Sequence, residues 1–461
     1  MKQPELIPFG MGIDKHARLF KYGDTILRAI HPNFTEYYNN ILSKKIIYNL
    51  IADNILIPTE ISSLKIDGYD LVLKHPILPI VSYPFEWTPS MFKDAALNIL
   101  KLNVALAKHG LCTQDAHPWN VLFDGPYPKF VDFTSIIDLP SYGVSHVINQ
   151  FNEYCTNPLL LMAKGYHKIF RSLTHEIFCY PDANLLRELY GPQIATYKLG
   201  QIILDRARRY AKHIYKSENL SGFFSEINRL NSLINRIERI DVRPMASEWS
   251  NYYSGENELP IYDGSKERLN SIRTATPKHA IVDYLLENIR PNTVLDIGCN
   301  RGLYSQMAAS RGAKVIGIDM DEQALDQMYY DSKNINSYVI PLYINAVAPE
   351  EAIGFKEIPF ASVTERLKSD CVLCFALVHH LVFKVFQMDF MHISKLLDSY
   401  SNRYLIVEFI PKEDKYVSEW YTLEYSWYNV ENFKSSLSQH FHKIEHYESF
   451  PAPRVILFCE K

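Results

Sequence analysis

Two stretches of this 461-residue chain space their side chains in ways that could do chemistry. In TVLDIGCNRGLYSQMAASRGAKVIGIDMDEQAL, a short β-rich run holding Asp296 leads into Gly298-Cys299-Asn300-Arg301-Gly302. A helical pattern follows, with Tyr304, Met307 and Ala308 on one side. Strand, glycine turn and helix put bare backbone at the carboxyl end of a parallel strand, where open α/β sheets bind ligands. Gly298 permits the tight turn and Gly302 the close approach of helix and ligand. The next strand pattern, KVIGID, ends at Asp319, 23 residues after Asp296. An acid there is suited to accept hydrogen bonds from both hydroxyls of a ribose. The spacing is G-x-x-x-G rather than G-x-G-x-x-G, so a mononucleoside cofactor is expected and a dinucleotide pyrophosphate is not.

The second stretch, HGLCTQDAHPWNVLFDGPYPKFVDFTS, holds Asp115 and Asn120 five apart and, after a hairpin signal at Asp124-Gly125, Asp132-Phe133. In phosphotransferases an Asp and an Asn at this spacing supply a base and a metal ligand, and a later D-F-G-type Asp a second one.

The elements that must position these residues can be read from period and punctuation. RLFKY and TILRAI flank Gly23-Asp24, a hairpin signal, and a helical segment follows from about residue 34 to 52. A second hairpin is expected at Asp67-Gly68, between SSLKI and YDLVLK, then a long helix from about 90 to 108 ending near Gly110. Residues 145–240 read as mostly helical, TYKLGQIILDRARRYAKHIY among them. From Thr276 onward helical and strand patterns alternate, as a doubly wound sheet requires. Its third strand comes from SYVIPLYINA, its fourth from DCVLCFALVHH and its fifth from RYLIVEFIP. The chain thus divides into 1–240, a linker or lid at 241–269 rich in aromatics, and 270–461.

The first motif, D-x-G-C-x-x-G from Asp296 to Gly302, resembles that of the class I S-adenosylmethionine (SAM)-dependent methyltransferases, which implies a Rossmann-like C-terminal domain. By that resemblance Asp296, Gly298 and Gly302, with Cys299 and Asn300 in the same turn, surround the methionine moiety. Asp319, followed by Met320, binds the ribose, and Asn345 contacts the adenine. Methyl transfer to a hydroxyl or protonated amine needs a base. His379 and His380, after the fourth strand, and Glu408, at the end of the fifth, are the candidates, with one histidine expected to face the cavity. Cys371 and Cys374 form a C-x-x-C within an apolar strand, which lacks the turn a zinc site needs.

D-x-H-P-x-N resembles the aminoglycoside and choline kinase-like families, and the N-terminal element order agrees with an aminoglycoside phosphotransferase-like, protein-kinase-like fold. The carry-over makes Asp115 the base and places Asn120 and Asp132 on Mg²⁺ with ATP. The departures are a missing G-x-G-x-x-G loop, no V-A-I-K lysine (Arg28 sits near its place), and Thr134 where the third residue of D-F-G is glycine. SYPFEWTPSMFKDAALNIL, the Asp115 loop, ALVHHLVF and LIVEFIPKEDKYV together resemble a bacterial methyltransferase family that includes a rhizobial host-specific nodulation protein.

The expected function is therefore SAM-dependent methyl transfer to a small molecule or glycan, with the kinase-like half presenting the substrate. A bifunctional methyltransferase and small-molecule kinase, and a SAM-binding module without turnover, are the alternatives. Composition bounds the rest. A net charge of −4 gives no reason to expect nucleic acid as partner. The longest apolar run near a span, Cys371 to Phe383, is 13 residues and holds two histidines, short of the ~20 a transmembrane helix needs. Seven scattered cysteines and a start without an apolar leader point to the cytoplasm.

Overall fold

The computed structural model describes residues 5–9, 14–140, 143–175, 181, 185–186, 188, 219–244, 262–351 and 361–461. The expected helix at 196–215 and most of the aromatic linker, 245–261, lie outside the described residues.

The N-terminal half begins with an antiparallel sheet of β1 (Ile7–Phe9), β2 (Ala17–Tyr22), β3 (Thr25–Ile30), β4 (Glu60–Ile61) and β5 (Leu71–Pro76), in the order β1-β2-β3-β5-β4. Gly23, at φ 55°, makes the two-residue turn between paired Tyr22 and Thr25, a turn that needs positive φ. The expected helix at 34–52 is two helices, Thr35–Ser43 and Lys45–Ala52, broken at an extended Lys44. The break re-phases the stripe, so that Tyr38 and Ile41 on one piece and Ile47 and Leu50 on the other enter the same core. The second hairpin is also shorter than its sequence pattern. SSLKI forms no strand, because the Ser62 hydroxyl takes the Leu64 N–H, and such local bonds compete with a ladder. β5 pairs instead with the two residues of β4.

The helix Pro89–Ala107 starts where Thr88 accepts the Met91 N–H and Pro89 fills the first turn. Beyond it, β6 (Leu111–Thr113) pairs with β9 (Ile136–Asp138), and β7 (Val121–Asp124) with β8 (Tyr127–Phe130). Asp115 and Asn120 lie between β6 and β7, and Asp132 between β8 and β9.

The C-terminal half is a seven-stranded sheet: β10 (Thr293–Ile297), β11 (Lys314–Asp319), β12 (Val339–Tyr343), β13 (Ser369–Cys374), β14 (Ser401–Phe409), β15 (Lys443–Glu448) and β16 (Val455–Glu460). The order is β12-β11-β10-β13-β14-β16-β15, with the first five parallel and β16 antiparallel to both neighbours. Val294, Val315, Val339, Cys371 and Leu373 pack on one side against the helices Lys266–Ile272, Pro277–Ile289 and Leu303–Ser310. Leu295, Ile316, Ile340, Val372 and Leu405 face the other side, toward the helices Phe390–Tyr400 and Val430–Leu437. Burial on both faces explains why these strands read as unbroken apolar runs.

That second side shares its core with the N-terminal half: Trp87, Phe92 and Phe123 lie in the same buried cluster as Tyr329 of the C-terminal half. The helix Glu322–Ile335 carries most of the polar seam. Asp326 accepts from both the backbone N–H (2.9 Å) and hydroxyl (2.8 Å) of Ser90. The Tyr329 hydroxyl (2.7 Å) and Lys333 Nζ (2.5 Å) donate to Asp94. Beyond that helix, Tyr338 donates to Asp124 at 2.8 Å, and Arg366 forms a buried pair with Glu86. Asp326→Ala leaves the buried Ser90 N–H without its acceptor and the Ser90 hydroxyl with Tyr330 alone. It is expected to cost ~1–3 kcal/mol, read as a lower urea midpoint with a thermal shift in the same direction.

Candidate functional site

The site is built on the step from β10 to the helix at Leu303. Gly298, Asn300 and Gly302 take φ of 73°, 47° and 74°, so three of five consecutive residues are in the region that favours glycine and, next, asparagine. The N–H groups of Gly298 and Cys299 donate to the Ile318 carbonyl at 2.9 and 3.2 Å, tying the turn to β11. A Cβ on Gly302 would stand 2.5 Å from the Met328 side chain, so the helix lies against this turn as closely as glycine allows. Asp319, half-buried at the end of β11, accepts the Asn300 N–H at 2.8 Å on one oxygen. Its other oxygen accepts those of Met320 (2.7 Å) and Asp321 (2.9 Å). The acid proposed for a ribose therefore also clamps the loop.

Two residues of the motif sit differently from expectation. Asp296 is only 2 % exposed and holds the Ser305 hydroxyl at 2.6 Å, and burial pushes its carboxyl up to about 7. Its side chain supports the turn from below. The Cys299 thiol packs on Met328, 3.8 Å from Sδ, so only its backbone lines the turn. Met320, by contrast, is exposed. With Tyr343 and Asn345 it lines a cavity of about 430 Å³ at the ends of β11 and β12.

The histidines follow the fourth strand, as expected, but on a helical turn. β13 stops at Cys374, Ala376 takes φ 50°, and His379 and His380 sit on the helical turn Val378–His380. Their rings are 4.1 Å apart, and His379 stacks on Trp420 at 5.8 Å and 10°. Burial pushes His380 down to about 4 and His379 well below the usual range, so both rings are neutral near pH 7. His379 Nδ1 is buried without a hydrogen-bond partner among the described residues.

Glu408 is a correction. One of its oxygens binds Lys278 Nζ at 2.7 Å and the Ala376 N–H at 3.1 Å, and the other takes the Ser449 hydroxyl at 2.8 Å. Side-chain exposures are 3 % for Lys278 and 0 % for Glu408. A carboxylate so fully engaged joins three elements and is no free base. The sequence reading did not single out Lys278; its local signal is Thr276-Pro277, which caps the helix that carries it. Its ammonium also lies 5.2 and 5.1 Å from the rings of Tyr304 and Phe375.

In the N-terminal half, Asp115 and Asn120 share one loop, the Asn120 amide donating to the Asp115 carbonyl at 3.3 Å. The Asp132 carboxylate is turned to Arg28 of β3 at 2.9 Å, and Thr134 bonds it at 3.0 Å. Asp14 completes this knot, 3.3 Å from Arg28 and 2.6 Å from the Thr134 hydroxyl. Among the described residues no group of three or more His, Cys, Asp or Glu is arranged to hold a metal ion. No described helix is long and apolar enough to cross a membrane.

A family model described as a methyltransferase domain matches residues 295–397, which run from the glycine turn through the histidine turn. The C-terminal half carries a methyltransferase domain of the class I fold. Along its length the chain is similar to nodulation protein NoeA of Rhizobium meliloti, with 27% identity over 446 residues that cover 92% of this chain and 90% of that protein. A stretch of 66 residues is 41% identical to the ubiquinone biosynthesis O-methyltransferase of Nitrosomonas europaea, covering 14% of this chain and 24% of that one. Among solved structures, the SAH-bound magnesium protoporphyrin IX methyltransferase of Synechocystis PCC 6803 aligns at 17% identity and TM-score 0.28, over 43% of this chain and 84% of that one. The bifunctional kinase-methyltransferase WbdD aligns at 16% identity and TM-score 0.30, over 46% of each chain.

Lys278→Met strands a buried carboxylate and is expected to cost ~3–5 kcal/mol in urea unfolding. Replacing both partners, Lys278→Met with Glu408→Met, recovers much of that loss, because no unpaired charge is left behind.

Proposed function

We propose that this chain is a SAM-dependent methyltransferase acting on a small molecule or glycan. The single observation that carries the reading is the turn from Gly298 to Gly302, held at the end of β10 by Asp319 within a domain matched by the methyltransferase family. At Gly302 the place of a Cβ is taken by Met328, which holds the turn against the helix Glu322–Ile335. Asp319 and Asn345 supply acceptors at the ends of β11 and β12. SAM, once bound, supplies an activated methyl group on a sulfonium. The chain's own work is to align an acceptor in line with that methyl and exclude water, which can provide much of the acceleration.

For an acceptor that loses a proton, His379 and His380 are the bases we assign. Burial keeps both neutral at pH 7 while weakening them as bases, so the assignment rests on Nδ1 of His379, unpartnered among the described residues, in a ring whose plane Trp420 fixes. A neutral imidazole has a free lone pair to take that proton. Glu408 drops out of this role, being committed to Lys278.

The N-terminal half is read as kinase-like. Support comes from its antiparallel sheet with a helical insert between β3 and β4, the long helix, and the loop that carries Asp115 and Asn120 ahead of Asp132. Its role is to present substrate. The hold of Arg28 on Asp132 favours this over Mg-ATP chemistry, which would need that carboxylate for a metal. The similarity to NoeA across both halves supports treating them as one working unit. A bacterial, cytoplasmic setting and a partner other than nucleic acid complete the reading.

Isothermal titration with SAM and S-adenosylhomocysteine tests it: binding by the wild type and its loss in Asp319→Ala are expected. No heat from the wild type with either ligand would overturn the proposal. A second expectation concerns pH. The folded His380 resists protonation down to about 4, whereas an unfolded histidine titrates near 6.5. The unfolded chain therefore binds more protons between those values, and His380 makes the fold lose stability as pH falls through that window. Asp296, raised to about 7, works in the opposite direction. Measured as urea midpoints at pH 7 and 5, His380→Phe should lose less stability on acidification than the wild type.

A further inference from the structure

The cavity beside Met320 and Asn345 does not belong to the C-terminal half alone. Its opposite wall is Phe85, Arg171 and His175 of the N-terminal half. A second cavity of about 330 Å³ opens along the same seam and shares Arg171, Met320 and Tyr343 with the first. Both fall in the ~300–1,000 Å³ range of small-molecule sites. Arg171 stands at their junction with its guanidinium 4.1 Å above the Tyr343 ring. It is held there by the carbonyls of Phe85 and Trp87 (3.0 Å to the latter) and by Glu322, three residues after Asp319. A planar cation on an aromatic ring, fixed by three acceptors, is a preorganised wall for a flat heterocycle. On the rim of the larger cavity, Glu350 engages His175 through one oxygen at 3.3 Å. Its other oxygen is buried with no hydrogen-bond partner among the described residues, an acceptor suited to an exocyclic amine.

We infer that the N-terminal half completes the cofactor site: the adenosine end of SAM lies in the seam cavity, between Met320 and Asn345 on one side and Phe85 and His175 on the other, against the stacked pair of Arg171 and Tyr343. This inference rests on the proposed SAM-dependent function and adds to it a specific consequence. The two halves bind one ligand jointly, so a substrate held by the N-terminal half and the cofactor sense each other through the Arg171 wall.

The test is S-adenosylhomocysteine titration of the full-length chain as wild type, Arg171→Ala and Ser172→Trp, with a thermal melt of each. Ser172 lines the larger cavity, is exposed, and bonds through its hydroxyl to Lys168 of its own helix, so a Trp there fills the cavity while sparing the ion pairs. Both variants are expected to weaken binding at least about tenfold, or ~1.4 kcal/mol, with Ser172→Trp melting as the wild type does. Binding within about twofold of the wild type by Ser172→Trp would overturn the inference, and this variant decides the matter where Arg171→Ala fails to fold. Wild type that binds while both variants bind equally well sinks only this inference. Wild type that does not bind at all sinks the proposed function with it.

Discussion

The Asp319 carboxylate is the constraint on which the rest of the site depends. It accepts three backbone N–H groups, from Asn300, Met320 and Asp321, and so ties the turn after β10 to the start of the helix after β11. A loop with three positive-φ residues is costly to order, and the packing of Cys299 on Met328 fixes it at one point only. One charged acceptor at the neighbouring strand end supplies that order with charge-assisted bonds. The same anchoring sets where the helix Glu322–Ile335 begins. That helix in turn presents Glu322, Asp326, Tyr329 and Lys333 to the N-terminal half. Loop shape, helix position and domain seam are thus coupled to one side chain.

Buried ion pairs do the rest of the joining. Lys278 with Glu408 links the helix Pro277–Ile289 to β14 and to the Ser449 loop. Arg366 with Glu86, and Arg171 with Glu322, cross the seam. Arg28 with Asp132 and Asp14 closes the N-terminal sheet over the loop below it. Such pairs contribute little net stability compared with apolar substitutes, because desolvation offsets most of the attraction. What they do is penalise any arrangement that leaves one partner alone. The seam is therefore specific in register, which a cavity shared between two halves requires.

The methyltransferase match covers the glycine turn and the histidine turn but neither the seam helix at 167–175 nor the Arg28 knot. Similarity to NoeA extends over both halves. The proposed cofactor turn thus lies within the matched domain, whereas the proposed joint wall needs the N-terminal half as well.

Local pattern alone determined a good deal. The Tyr22–Thr25 hairpin, the start of the long helix at Thr88-Pro89, the strands β10 and β11 and the glycines at 298 and 302 are all legible, because turn chemistry, capping and apolar period act over a few residues. Other features were decided by packing. The helix break at Lys44 serves a shared core, and β13 ends at Cys374, which puts His379 and His380 on a helical turn beside Trp420. Pairing across long separations was invisible in the sequence: Lys278 meets Glu408 130 residues on, Arg28 meets Asp132 104 on, and Asp326 meets Ser90 across 236. No periodicity encodes which buried charge finds which, since the partner is chosen by the desolvation cost of leaving either one alone in the folded interior. The sequence could nominate Asp319 and Glu408 as equals; only the tertiary structure made one a clamp at an open site and the other half of a buried ion pair.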